Sequence, residues 1–298
     1  MGEHEIQETA RGPCEICGEA TKHVGERTSQ WSGLVFGLSQ CPHCYFSFVS
    51  NARTDFDVLY SDDYYHGKGA DPLVEYAIDV AHPDTSTQRF AWKGIRSLVN
   101  GIIPITESTA WLDYGCGAGG LVQYLRRNGV PATLGFEQGA AVSLLRKQGV
   151  PYVAKEELSD LAGRFDVVTA IEVLEHMLNP LQELRTMRSL LRPGGVLFLT
   201  TGNARPFRRH IDRWQYVNPD VHVSFFEPET LELAFRKVGL QPQRLGYRPG
   251  WTLIYRSKLL HTLKIHRSSQ LHSLVPWGVL GRALDARLRL ADQPIGRA

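Results

Sequence analysis

The stretch Leu112-Asp-Tyr-Gly-Cys-Gly-Ala-Gly-Gly120 decides the fold of this chain. It follows a short apolar run that starts at residue 110, and it precedes a stretch with helical periodicity at residues 121–128. Glycines at a strand-to-helix turn allow positive φ angles and let the backbone pass close to a ligand. The start of the next helix presents unpaired N–H groups. This stretch therefore predicts a ligand-binding loop at the end of a buried strand.

Short apolar runs alternate with helical stretches on the C-terminal side of that loop. The runs cover residues 132–136, 165–171 and 195–200, and a helix over residues 229–238 closes at Gly239, a suitable C-cap. Such alternation is typical of βα units in which a parallel sheet is buried on both faces. The predicted fold class is therefore α/β.

The glycine spacing alone leaves the ligand open. Gly115, Gly117 and Gly120 also satisfy G-x-G-x-x-G, the fingerprint of dinucleotide-binding folds. Asp113, at the end of the first strand, suits a ligand with a cationic amino group or ordered waters. Glu137, at the end of the second strand, suits the two hydroxyls of a ribose, which NAD and other adenosine ligands share.

Four motifs, taken in order, resemble those of class I S-adenosylmethionine-dependent methyltransferases. The glycine stretch resembles their first motif, residues 165–176 their fourth strand and the loop after it, and residues 191–200 the turn into their fifth strand. Residues 222–231 resemble the stretch before the next helix in the small-molecule branch of this family, which includes quinone and sugar methyltransferases. The resemblance covers residues 105–248, about half the chain. It implies a Rossmann-like, seven-stranded, mostly parallel sheet with helices on both faces.

The resemblance also implies a set of residues that contact S-adenosylmethionine: Asp113, Gly115, Cys116, Gly117, Gly119, Glu137, Gln138, Glu157, Ile171 and Glu172. The family usually places an acid and an apolar residue after the third strand, against the adenine. Here that segment reads Val153-Ala-Lys-Glu-Glu-Leu158, so Glu156 or Glu157 would stand in, or the segment is only a solvated helix start. Cys116 is expected to be a compact loop residue and not a nucleophile.

Two histidines are candidates for the base that would deprotonate a hydroxyl acceptor. His222, in the long connection after the fifth strand, is the first choice, although a histidine there could also be a lid residue bonded to backbone. His176, at the end of Glu172-Val-Leu-Glu-His176, is the second, because it could instead orient its loop. The same connection contains four arginines that suit a phosphate or carboxylate on the substrate, or that belong to a solvated lid: Arg205, Arg208, Arg209 and Arg213.

Four of the five cysteines form two Cys-x-x-Cys pairs, Cys14/Cys17 and Cys41/Cys44. Two such turns in a small module predict a structural, tetrahedral Zn²⁺ site more than a redox site. Because four thiolates complete the coordination, His43 is not needed as a ligand. The spacer holds Lys22 and Arg27 against Glu19 and Glu26, so the module has no basic cluster that would favour nucleic acid.

Composition sets the remaining expectations. The formal net charge of +2 does not call for a nucleic-acid partner. No apolar run approaches the length of a membrane span, and the acidic, polar first ten residues are unlike a secretory signal. We therefore expect a cytoplasmic protein that acts on a small molecule.

Four regions are expected. They are a zinc-ribbon-like module at residues 1–50, a helical connection at 51–104, the methyltransferase domain at 105–250, and a basic segment at 251–298 that packs on it. From residue 256 onward this segment has eight basic and two acidic residues interleaved with leucines and Trp277. It could lie on an anionic membrane or a charged partner. We favour an insertion before the last strand, beside the mouth of the active site.

Three other functions compete with a small-molecule methyltransferase. One is an RNA methyltransferase that uses the cysteine module for recognition. The second is an NAD-dependent oxidoreductase, because the glycine spacing permits it. The third is a binding module that keeps the fold without catalysis.

Overall fold

Two β-sheets organise the chain in the computed structural model, which describes residues 12–71, 79, 81–267 and 274–298. The strands of the described residues are β1 Lys22–Thr28, β2 Val35–Gln40, β3 Ser47–Val49, β4 Trp111–Tyr114, β5 Thr133–Phe136, β6 Tyr152–Val153, β7 Phe165–Ile171, β8 Leu191–Thr200, β9 Ser224–Phe225, β10 Gln241–Arg244 and β11 Pro294–Arg297.

The larger sheet has seven strands in the order β10-β11-β8-β7-β4-β5-β6. The five strands from β6 to β8 are parallel, whereas β11 is antiparallel to both β8 and β10. The first strand of this sheet along the chain is β4, in the middle of the sheet, and the later strands are added on either side of it. This confirms the expected Rossmann-like, mostly parallel, seven-stranded sheet.

Helices cover both faces of this sheet, as expected. In chain order, the α-helices of the described residues are α1 Phe56–Leu59, α2 Asp62–Tyr65, α3 Gln88–Asn100, α4 Gly120–Arg127, α5 Ala141–Lys147, α6 Pro180–Leu190, α7 Pro228–Lys237, α8 Pro249–Thr262 and α9 Trp277–Leu288. Proline at the first turn of α6, α7 and α8 costs no hydrogen bond there. Gly239, with φ of 78°, follows α7 as the sequence predicted.

The core has one large cluster on each face. Side chains of α6 and α7 pack with Leu112 and Leu197 on one face, and side chains of α3 and α8 pack with Trp111 and Phe198 on the other. Helices α3 and α8 cross closely, because a Cβ at Gly94 would lie 2.6 Å from the carbonyl oxygen of Gly250. Because neither glycine has a side chain, α3 and α8 can pack this closely against each other.

The last described segment contributes to the sheet itself. We expected residues 251–298 to pack on a domain that ends at residue 250, but β11 lies between β8 and β10 and completes the sheet. Helices α8 and α9 form an insertion between β10 and β11. The sequence of β11, Pro-Ile-Gly-Arg, is too short and too mixed to show a strand pattern.

The cysteine module is joined to the rest of the chain by a second sheet. Its three antiparallel strands β1, β2 and β3 are extended by β9, so that Phe48 pairs with Ser224 and Ser47 with Phe225. Phe46 packs against Phe226 with ring centroids 5.1 Å apart. The module is therefore continuous with the segment that follows His222.

Within the described part of the chain, no helix is long and apolar enough to cross a membrane.

Candidate active site

A cleft of about 960 Å³ opens at the carboxyl ends of β4, β7 and β8. Its walls include Asp113 near the end of β4, Glu172 directly after β7 and Thr200 at the end of β8. In open α/β sheets, ligands bind at this edge, beside the point where the strand order reverses. Here that point lies between β4 and β7, because the chain first proceeds from β4 to β5 and later returns to β7.

The glycine loop borders this cleft in the conformation that its sequence predicts. Gly115, Gly117 and Gly119 have φ angles of 72°, 53° and 79°. A Cβ at Gly115 would lie 2.5 Å from Cγ2 of Val173, so no other residue fits the turn without a shift. The N–H groups of Gly115 and Cys116 donate to the carbonyl of Phe136, which fixes the loop against β5.

Asp113 presents a buried carboxylate to the cleft. Its Oδ1 accepts a hydrogen bond of 2.7 Å from the Thr169 hydroxyl, which in turn accepts one from Nε1 of Trp111. Burial raises the pKa of Asp113 to about 7, and the bond from Thr169 offsets part of this rise. A cationic group of a ligand would restore the ionised form.

Glu137 faces the glycine loop. Its carboxylate accepts hydrogen bonds from the backbone N–H of Gly117, at 2.7 Å, and of Gln138, at 2.8 Å. Burial raises its pKa, and the two backbone bonds lower it. These contacts give Glu137 a role in holding the loop, in addition to the ribose contact that remains a prediction.

The predicted cofactor residues divide into two groups. Asp113, Gly115, Cys116, Ile171 and Glu172 line the cleft, as do both histidines. Gly117, Gly119, Glu137, Gln138 and Glu157 are not among its lining residues. Glu157 is exposed, and its carboxylate accepts the N–H of Ala154 at the start of a 3₁₀ turn over Lys155–Leu161, as a solvated helix start would. Burial raises the pKa of the Cys116 thiol, which disfavours a nucleophilic thiolate.

His222 is buried, and one of its ring nitrogens has a fixed role. Nδ1 lies 2.7 Å from the carbonyl oxygen of Tyr216 and must therefore donate its hydrogen to it. The neutral ring then has an unprotonated Nε2. Burial lowers the pKa of His222, and the bond to Tyr216 offsets part of this effect. A neutral histidine with a lone pair in a cleft can accept a proton.

His176 lies beside it, with ring centroids 4.9 Å apart. Its Nδ1 is 3.1 Å from the hydroxyl of Tyr60. Burial and the neighbouring His222 lower the pKa of His176 to about 3. So weak a base, already engaged by a tyrosine, is better suited to orient its neighbours than to remove a proton.

Two carboxylates, Glu172 and Glu175, complete this end of the cleft. Burial raises the pKa of Glu172, but Lys258 at 3.1 Å and hydrogen bonds from Thr200 and Tyr216 outweigh it, so the net shift is downward. Glu175 is fully buried, and burial together with the nearby Glu172 raises its pKa to about 8. The Tyr216 hydroxyl bridges the pair and accepts the N–H of Gly202.

Sequence reasoning missed Glu175, Tyr216 and Lys258. Glu175 was detectable, since it lies three residues after Glu172 in the same loop. Lys258 was not, because it reaches the cleft from α8, a helix of the insertion. Glu175, His176 and His222 also bring their ligand atoms within 4.8 Å of one another, a spacing at which a cation could be held.

The arginine cluster lies elsewhere, which corrects one expectation. Arg205, Arg208, Arg209 and Arg213 line a separate, shallow concavity and none of them borders the cleft. Arg208 pairs with Glu227, and Arg205 pairs with Glu229. Among the described residues, the arginines and lysines that line the cleft are Arg27 and Lys258. The reason is that this part of the connection packs against β1, where Arg27 donates to the carbonyl of Asp212 at 2.9 Å.

The four cysteines of the module meet at one point, with all Sγ atoms within 4.8 Å of one another. Each pair forms a turn closed by a backbone bond, from Gly18 N–H to Cys14 and from Tyr45 N–H to Cys41. The Sγ atoms of Cys14 and Cys44 are 3.5 Å apart, and the hydrogen bond between them lowers the pKa of Cys14 to about 5, whereas burial raises the pKa of Cys17 to about 11. No disulfide links them. Four clustered sulfurs fit a tetrahedral metal such as Zn²⁺.

A family of proteins described as a methyltransferase domain matches residues 87–245 of this chain. The chain is similar to the ubiquinone biosynthesis O-methyltransferase of Caulobacter vibrioides (strain ATCC 19089 / CIP 103742 / CB 15), with 34% identity over 48% of this chain and 65% of that protein. It is also similar to the enzyme of the same name from Xanthomonas axonopodis pv. citri (strain 306), with 34% identity over 44% of this chain and 62% of that protein. Less than two thirds of the length of these relatives is matched.

Among solved structures, the chain is similar to SAM-bound CalS10, an amino pentose methyltransferase from Micromonospora echinaspora. The identity is 18%, the coverage is 59% of this chain and 92% of that chain, and the TM-score is 0.43.

The family match covers more than half of the 298 residues, and the chain therefore belongs to this methyltransferase-domain family. The sequence motifs, the seven-stranded Rossmann-like sheet and the family match agree on a methyltransferase domain.

Proposed function

We propose that this protein transfers a methyl group from S-adenosylmethionine to a hydroxyl of a small molecule. The observation that carries the proposal is the cleft that brings the glycine loop and Asp113 together with the unprotonated Nε2 of His222. The names of the similar proteins, O-methyltransferases of ubiquinone biosynthesis, support an oxygen acceptor.

The carboxylates at the cofactor end of the cleft suit the cationic group and the hydroxyls of S-adenosylmethionine. Asp113 would hold the α-ammonium group, because burial without a cationic partner leaves its pKa at about 7. Glu137 would share the ribose while it keeps Gly117 in place, since each carboxylate oxygen has two lone pairs. When bound, the cofactor supplies a methyl group already activated on a sulfonium.

The acceptor end supplies alignment and a base. Orientation of reacting groups in a closed site can contribute about 7–11 kcal/mol to lowering a barrier. His222 would take the acceptor proton at Nε2 while its Nδ1–H remains on Tyr216, so that the resulting positive charge is stabilised by a carbonyl and by Glu172. His176 would orient the site through Tyr60.

The residues of the cleft do not determine the charge of the acceptor. The arginine cluster outside the cleft gives no support to an anionic acceptor, whereas Arg27 and Lys258 leave room for one anionic group. Lys258 is already paired with Glu172, so a neutral acceptor with a hydroxyl fits the site at least as well.

For the cysteine module we propose one structural Zn²⁺ held by Cys14, Cys17, Cys41 and Cys44. The four sulfurs leave no open coordination position, and three of them are buried in the core that joins the module to α7. Thr230 of α7 donates to the carbonyl of Cys44 at 2.6 Å, which ties the metal turn to that helix.

The test compares S-adenosylhomocysteine with NAD by calorimetry, and then measures methyl transfer from labelled S-adenosylmethionine to extracted metabolites. Binding of S-adenosylhomocysteine and labelling of a hydroxyl compound are expected. Binding of NAD instead would favour the oxidoreductase. Binding without turnover on any acceptor would favour a non-catalytic binding module, and salt-dependent retention of RNA would favour the RNA enzyme.

A further inference from the structure

The cysteine module reaches the cleft through its β1–β2 turn. Arg27, Thr28, Ser29, Gln30 and Trp31 all line the cleft, although they lie far from the methyltransferase motifs in sequence. The turn is well defined: the N–H groups of Trp31 and Ser32 donate to the Ser29 hydroxyl, each at 3.0 Å, and Ser29 N–H donates to the carbonyl of Leu34.

This turn is anchored beside the histidines. The Ser29 hydroxyl donates to Asp220, whose carboxylate is buried and lies two residues before His222. Arg53 pairs with the same carboxylate at 3.3 Å. The backbone N–H of His222 donates to Asn218 at 2.7 Å, which closes the loop around Asp220. The β1–β2 turn therefore lies at the histidine end of the cleft.

Trp31 is the one large aromatic side chain of this turn, and it is 41% exposed. Its indole is held by Arg53, whose guanidinium lies 5.5 Å from the ring centroid. Arg53 is itself fixed by Asp220 and Asp55, so the indole is backed by a cation that cannot easily move. An indole positioned in this way offers a flat apolar surface to a second ring.

We propose that Trp31 determines acceptor specificity by stacking on a planar phenolic ring whose hydroxyl points to His222. This inference rests on the proposed function, since it assigns the acceptor end of the same site. It gives the cysteine module a part in substrate selection in addition to a structural one. Trp31 contacts the acceptor only, so its removal should leave cofactor binding unchanged.

The experiment uses 4-nitrocatechol as a planar phenolic probe and the full chain saturated with S-adenosylhomocysteine. Trp31→Ala is compared with Trp31→Phe and with Val35→Ala, a matched control on the same hairpin that is 49% exposed and does not line the cleft. Calorimetry gives the Kd of the probe and, separately, the Kd of S-adenosylhomocysteine. Thermal unfolding of each variant shows that the fold is retained.

Trp31→Ala is expected to weaken probe binding roughly 2- to 13-fold, the range measured for aromatic pairs. Trp31→Phe should restore most of the affinity, and Val35→Ala should match the unsubstituted protein. In turnover with a labelled methyl donor, the KM of a phenolic acceptor should rise in Trp31→Ala while kcat changes less.

Equal probe affinity in Trp31→Ala and the unsubstituted protein would overturn the inference. A lack of probe binding to the unsubstituted protein would also overturn the inference, because the inference requires a planar phenol as the acceptor. In that case, methyl transfer to a non-aromatic hydroxyl would leave the proposed function standing. Conversely, a Trp31-dependent probe affinity without any methyl transfer would support the binding surface and contradict the proposed function.

Discussion

At the scale of single residues, the role proposed for Asp113 predicts that ligand binding depends on pH. Burial raises the pKa of its carboxyl to about 7, and in the proposed site the carboxyl would have to be ionised to bind the ammonium group of S-adenosylhomocysteine. Between pH 6 and pH 8 the ionised fraction rises about tenfold, so affinity should rise about tenfold over the same range.

Asp113→Asn should weaken this binding and flatten its pH dependence, as measured by calorimetry at pH 6, 7 and 8. The matched control is Asp166→Asn on β7, a buried carboxylate that accepts the N–H of Ala110 and does not line the cleft. A pH dependence that survives in Asp113→Asn would show that another group binds the ammonium.

His222 gives the second residue-scale prediction. His222→Ala should lower turnover by about 10²–10⁴-fold with little change in the affinity for S-adenosylhomocysteine. Because burial lowers the pKa of His222, the base stays unprotonated below the usual histidine range. The measurement uses S-adenosylmethionine at saturating concentration at every pH, so that the ionisation of Asp113 does not limit cofactor binding. Under these conditions kcat should fall only as the pH drops below about 6.5, and that acidic limb should disappear in His222→Ala.

The comparison variant is His176→Ala, which should have a smaller effect because the pKa of His176, about 3, makes it a poor base. If instead His222→Ala changes the rate modestly and keeps the acidic limb, the base is His176 or the reaction needs alignment alone.

At the scale of structural elements, the cysteine module should carry metal and support the cleft. Protein purified without added metal should contain one zinc per chain by elemental analysis. Cys41→Ser should lose this zinc and lower the melting temperature, because Cys41 is fully buried and its turn precedes β3, which pairs with β9. Cys116→Ala, which changes a thiol outside the module, should keep the zinc. Finding no metal, or finding the cysteines as disulfides, would contradict the assignment.

The strands and loops also show which parts of the fold can be predicted from the sequence. Strands β4, β5, β7 and β8 and the glycine loop were predictable, because a buried parallel strand is a continuous apolar run and the loop needs positive φ. Strand β11 was not, since its residues have no alternating pattern and its place depends on pairing with β8 across the whole sheet.

For the site, local motifs predicted Asp113, Glu172, His176 and His222 at the cleft. They could not predict that Lys258 and Trp31 would join them, because those residues come from an inserted helix and from another sheet. Long-range tertiary contacts decide such positions, and a single sequence has no local signal for them. The arginine cluster shows the converse: its composition suggested a substrate anion, but the backbone leads it outside the cleft.

At the scale of the whole molecule, β11 should be required for stability. Ile295 is 2% exposed and packs in the cluster that includes Val196 and Trp251. Ile295→Ala should lower the free energy of unfolding by about 2–5 kcal/mol, as for other buried isoleucines. Arg297→Ala on the same strand, with an exposed side chain, should change it by about 0.5 kcal/mol or less.

Urea denaturation of both variants measures this difference. Similar free energies of unfolding for Ile295→Ala and Arg297→Ala would mean that β11 is peripheral to the fold. The methyltransferase domain would then end at residue 250, as expected from the sequence.

The position of β11 also affects how the protein folds during its synthesis. Strand β8 ends at Thr200, but the strand that covers its edge begins at Pro294. At about 5–20 residues per second, a ribosome needs roughly 5–20 s to make the chain between them. For that time the nascent sheet exposes an apolar strand with unpaired backbone groups, the kind of edge that other chains can join. Folding yield in the cell should therefore depend on chaperones that shield this edge until β11 emerges.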